Sequence, residues 1–135
     1  SSPIKSRLCH ATMTALHEAT KEARAGNRIN QIGRAVQRVA KTHCFKIIKN
    51  LAGHGVGRKL HEEPESIVGY YEPRDMRVLQ EGMVITIEPF LSTKSSRVEE
   101  AADGWALVGA PGNLSAQYEH TMIITRGSPI VVTAH

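Results

Sequence analysis

Apolar residues recur along this chain at two different periods, and the change from one to the other limits the folds open to it. Ile4, Leu8, Ala11, Ala15, Leu16 and Ala19 lie three or four apart, one stripe of an amphipathic helix. Ser2 and Pro3 supply an N-cap and a first-turn proline, and Gly26 marks the expected stop. After "GNR", Asn30 is placed to cap a second helix in which Ile32, Val36 and Val39 or Ala40 are buried. From Phe45 the pattern changes. "FKIIK", "GMVITIEPF", "SSRVEE", "WALVG", "YEHTMIIT" and "PIVVT" read as strands, with turn signals at "DG", "PGN" and "RGSP". Helices first and mainly antiparallel strands afterwards predict an α+β fold, a helical hairpin packed on one face of a curved sheet. The 135 residues suit one domain, 1–135, without internal repeat or linker.

Charge and cysteine usage narrow the partners. The chain carries a formal +4 and a pI near 9.3, but its 17 basic residues form no run. With few aromatics to stack on bases, no specific nucleic acid is expected. There is no apolar run of membrane-spanning length, and "SSPIKSRLCH" lacks the apolar stretch of a signal peptide. A cytoplasmic protein without a membrane partner is the expectation. Cys9 and Cys44 fall in the expected helices without C-x-x-C spacing, so reduced, half-buried thiols are expected.

Three segments hold residues suited to chemistry. His54 in "GHGVG" is flanked by glycines, which let a bulky group approach the imidazole closely. The stretch is no phosphate loop, and taken alone a tight turn bearing an exposed histidine is the better reading. In "VITIEPF", alternation puts Glu88 on one face with Val84 and Thr86, against Ile85, Ile87 and Pro89 on the other. A carboxylate ending an apolar strand must be solvated, paired or coordinated. In "QYEHTMIIT", Glu119 shares a face with Gln117 and Thr121, opposite Tyr118, His120 and Met122. One imidazole and two carboxylates suit manganese, iron, cobalt or zinc better than copper or calcium. His61 stands outside this set, as a donor to a substrate or an oxyanion. No G-x-S-x-G and no H-E-x-x-H occurs, so Glu62 and Glu63 read as surface charges.

Taken in order, "GHGVGRKLHEEP", "GMVITIEPF" and "SAQYEHTMIIT" resemble the type I methionine aminopeptidases of the pita-bread fold, and "AGNRINQIGRAVQ" also looks like that family's helical hairpin. Prolidases and proline-specific aminopeptidases look similar around the histidines, but Phe90 after Pro89 and "QYEH" around Glu119 favour the methionine enzymes. The resemblance implies half of a pita-bread fold, the C-terminal half of a catalytic domain. It implies His54, Glu88 and Glu119 as ligands of two divalent ions, with Glu119 bridging them. His61 is implied to contact the scissile peptide, and Leu60 and Trp105 to line the methionine pocket, although Trp105 alone reads as a core aromatic. The implied activity is metal-dependent removal of N-terminal methionine from peptides and nascent proteins, by attack of a metal-bound water. Glu88 is implied to pass the proton, and association with the ribosome goes with that substrate.

The chain departs from the family in one respect. The family also uses two aspartates and an upstream histidine, whereas the only aspartates here are Asp75 and Asp103, in turn-like contexts. The 135 residues alone are therefore expected to be inactive. A catalytically inactive pita-bread module that binds a protein partner is the alternative reading.

Overall fold

The computed structural model describes residues 2–49, 65–67, 69–94, 99–100, 107–108 and 112–133. Helix α1 spans Pro3–Lys21, and the Ser2 hydroxyl accepts the Lys5 amide at 3.2 Å. This is the expected N-cap. Leu8, Ala11, Ala15, Leu16 and Ala19 are buried, but Ile4 is 38% exposed. It lies in the first turn, ahead of the helix's buried stripe.

The helix also ends earlier than Gly26, at Lys21 with Glu22 as its C-cap. The following segment is held by tertiary bonds instead of helical ones. The Asn27 amide donates to the Glu22 carbonyl at 2.9 Å. Ala25 N–H donates to Thr125 O at 2.8 Å and Gly26 N–H to Leu79 O at 2.9 Å. Gly26 has φ of +96°, a backbone state that glycine reaches at little cost.

Helix α2, Asn30–Thr42, buries Ile32, Ala35, Val36, Val39 and Ala40 as expected. Asn30 does not cap it. The residue is the first helical position and is 3% exposed, and its amide donates to the carbonyls of Glu72 and Asp75, both at 3.1 Å. Its side chain thus ties the helix start to a distant loop. Cys9 lies in α1 as expected, whereas Cys44 lies beyond α2, exposed and at φ +62°. Both thiols are free.

The strands, in chain order, are β1 Lys46–Ile47, β2 Glu65–Ile67, β3 Val84–Ile87, β4 Phe90–Ser92, β5 Glu99–Glu100, β6 Leu107–Val108, β7 Ser115–Gln117, β8 His120–Ile123 and β9 Ile130–Val131. Two ladders run in the orders β1-β4-β7 and β2-β3-β8-β9, and β5 pairs with β6. Among the described residues all pairings are antiparallel except β2 with β3, and neither β2 nor β7 had a counterpart in the expected strands. The side-chain pattern of each is only three residues long, too short for a periodic signal.

Alternation in β3 holds as expected. Ile85 and Ile87 are fully buried, Pro89 beyond them is buried too, and Val84 is exposed. Together with Leu91, Met122 and Ile124 they meet α1, which packs over β3, β4 and β7, while α2 packs on β1. Each such buried aliphatic side chain contributes about 1.5–3 kcal/mol.

Charge is divided along the sequence. Residues 1–49 hold ten lysines and arginines against two glutamates, a formal +8, and the remainder holds seven against eleven, a formal −4. All ten of those basic side chains are exposed.

Candidate metal centre

Strands β3 and β4 are one run of chain, interrupted at Glu88 and Pro89, and β7 and β8 are another, interrupted at Tyr118 and Glu119. The two runs pair in one register. Ile87 lies opposite His120 on one side of the interruption and Phe90 opposite Gln117 on the other. Two residues separate the pairs on each run, so no bulge intervenes. Glu88 therefore falls opposite Glu119, and Pro89 opposite Tyr118.

The hydrogen bonds fix which of these pairs is close. Tyr118 N–H donates to Pro89 O at 3.4 Å, Thr93 N–H to Leu114 O at 2.9 Å and Ile124 N–H to Met83 O at 2.8 Å. These set the odd-numbered residues of β3 and β4 in hydrogen-bonded pairs. Glu88 with Glu119 is then a non-hydrogen-bonded pair, where opposed Cα atoms lie about 4.5 Å apart and side chains are nearest. Pro89 explains the interruption. It has no N–H to return to Tyr118, so its pair makes one ladder bond in place of two.

Both carboxylates point away from the helical layer, on the face that Thr86 and Thr121 share. The two threonine hydroxyls meet at 3.2 Å, one pair along from the glutamates. On the other side, the Gln117 amide donates to a Glu88 carboxylate oxygen at 3.5 Å. Glu88 is half-buried and Glu119 exposed. Like charges directly opposed on a sheet are destabilising. A divalent cation between them reverses that sign, and two carboxylates are hard oxygen donors suited to one. The pair thus fits a metal.

The helix-facing side of the same interruption is also tied. The charge of Cys9 on α1 first, then burial, then the hydrogen bond that the phenol itself donates to Cys9 push the Tyr118 hydroxyl pKa up. The helix is thereby joined to the residue between Gln117 and Glu119.

The other residues expected at the site fare differently. His54, Leu60, His61 and Trp105 lie outside the described residues, as does Asp103. Asp75 lies in the turn-like context expected of it and is committed elsewhere. Its carboxylate accepts from Arg77 at 2.8 and 2.9 Å, and that hydrogen bonding holds it below the usual aspartate range. Among the described residues, no group of three His, Cys, Asp or Glu can hold a metal ion. A separate cavity of about 560 Å³ lies between the start of α1 and the end of α2, lined by Arg7, His10, His43 and Cys44 among others. Among the described residues that line it there is no carboxylate.

Gln117 and the threonine pair were given no role from sequence. Alternation had already placed them on the carboxylate face, but the hydroxyl contact and the amide donation depend on a register between distant segments.

Comparisons with known proteins identify the family. The model of metallopeptidase family M24 matches residues 1–126. Methionine aminopeptidase 2 of Bacillus subtilis is 45% identical over 127 residues, covering 94% of this chain and 51% of its own length. A methionine aminopeptidase of Staphylococcus epidermidis is 39% identical over 131 residues, covering 97% of this chain and 52% of its own. The crystal structure of methionine aminopeptidase from Thermotoga maritima superposes with a TM-score of 0.87 at 33% identity, across all of this chain and 54% of that one. The chain belongs to metallopeptidase family M24, and its two helices and largely antiparallel sheets have the pita-bread fold of those structures. It spans about half the length of the curated relatives it matches.

Proposed function

We propose that this chain supplies the glutamate side of a metal-dependent aminopeptidase that removes N-terminal methionine from peptides and nascent proteins. The observation that carries the reading is the direct opposition of Glu88 and Glu119 across an interrupted strand pair. The family membership and the relatives named methionine aminopeptidase support it. Two opposed carboxylates form a pair that is costly in isolation and useful around a cation.

In this reading His54, Glu88 and Glu119 would hold the divalent ions. Manganese, iron, cobalt or zinc suits such a mixed oxygen and nitrogen set. When bound, the ions supply Lewis-acid activation of water and of the peptide carbonyl. Glu88 takes a proton at a carboxylate oxygen and passes it to the leaving amine. His61 donates a hydrogen bond to the scissile peptide, and Leu60 and Trp105 enclose the methionine side chain. Work in the cytoplasm, beside the ribosome, follows from a substrate that is a newly made chain.

A calorimetric manganese titration tests the site. Glu88→Gln and Glu119→Gln are each expected to weaken binding at least tenfold, and unchanged affinity in both overturns the assignment in favour of a protein-binding module. Activity is tested on a methionyl peptide, with the chain alone and mixed with the unmatched half of the Bacillus subtilis relative. With only Asp75 and Asp103 as aspartates, the chain alone is expected to show little turnover. Equal activity with and without the partner half sinks that expectation.

A further inference from the structure

We propose that Gln117 is a positioning residue for Glu88, an inference that rests on the metal site just proposed. Gln117 lies two residues before Glu119 on the same face, and opposite Phe90. That makes it the diagonal neighbour of Glu88, at a separation that long side chains bridge. Its amide nitrogen lies 3.5 Å from one Glu88 carboxylate oxygen. The opposite amide orientation would set two oxygens against each other, so the donor assignment follows from the charge of Glu88.

The chemistry of an amide suits this place. It donates to one carboxylate oxygen while adding no charge of its own. The formal −2 of the glutamate pair is therefore kept for a cation. A lysine at position 117 would compete with that cation, and a third carboxylate would add repulsion. An apolar side chain would remove this donor from Glu88. On the far side of the glutamates, the 3.2 Å contact between Thr86 and Thr121 fixes the strands one pair along. Glu88 is thus held from the Gln117 side through its side chain and from the threonine side through its backbone. Groups of this kind, one step removed from a metal, change affinity by about 10–100-fold when removed.

The test compares manganese affinity of the 135-residue chain with that of Gln117→Met, Gln117→Lys and Glu88→Gln, alongside the metal-free melting temperature. Gln117→Met keeps the length of the side chain and removes the donor. It is expected to weaken manganese binding about tenfold while the metal-free melting temperature stays unchanged, since Gln117 is exposed. Gln117→Lys is expected to weaken it further. A merely structural role predicts the reverse pattern for Gln117→Met, a lower melting temperature with affinity kept, and that result overturns the proposal. Unchanged affinity in Gln117→Met together with a large loss in Glu88→Gln also overturns the positioning role while leaving the metal site standing. Unchanged affinity in Glu88→Gln overturns both.

Discussion

Glu88 and Glu119 pull stability and binding in opposite directions. Without metal their opposition costs folding free energy, of the order of 0.2–1 kcal/mol for a directly opposed pair. Glu119→Gln is therefore expected to raise the metal-free denaturation midpoint slightly while weakening manganese binding. A lowered midpoint would show that the carboxylate has a stabilising partner. Asp75 behaves in the usual manner of a paired carboxylate. Its folded pKa lies below its unfolded value because of Arg77, so its contribution is complete above the unfolded value. It is lost as pH falls through the lower, folded one. Asp75→Asn is expected to cost about 1–2 kcal/mol near neutral pH and little in strong acid, read from urea midpoints at the two pH values. An equal cost at both would mean that the charge is not responsible.

Elements differed in how far the sequence revealed them. The buried stripes of α1 and α2 follow from spacing alone, because a helix repeats its face within a few residues. The faces of Glu88 and Glu119 were legible for the same reason, since alternation is local. Their mutual opposition was not, as it depends on the pairing of segments about thirty residues apart in sequence. The end of α1 was misread because tertiary bonds from Leu79 and Thr125 decide it, and Asn30 looked like a cap although its partners are in the loop at Glu72 and Asp75. The register itself can be tested. One alanine inserted between Ile87 and Glu88 turns Glu88 to the helical side. Manganese binding is expected to be lost with helical circular dichroism largely kept, and retained binding would place the site elsewhere.

Over the whole molecule, the helical layer is crowded with positive charge. Arg34, Arg38 and Lys41 are exposed on α2 at positions three or four apart, where each like-charged pair costs about 0.2–0.5 kcal/mol. Arg34 also sits over the Tyr71 ring, its guanidinium carbon 5.7 Å from the centroid, which recovers part of that cost. Stability is therefore expected to rise by about 0.5 kcal/mol from low to physiological salt as the repulsion is screened. A fall over the same range would mean that attractive pairs dominate. The glutamate pair faces away from the helical layer, on which Lys5, Arg7, Lys21, Arg34, Arg38 and Lys41 are exposed. A small cation approaching from the other side meets a local field that the net charge of +4 does not describe.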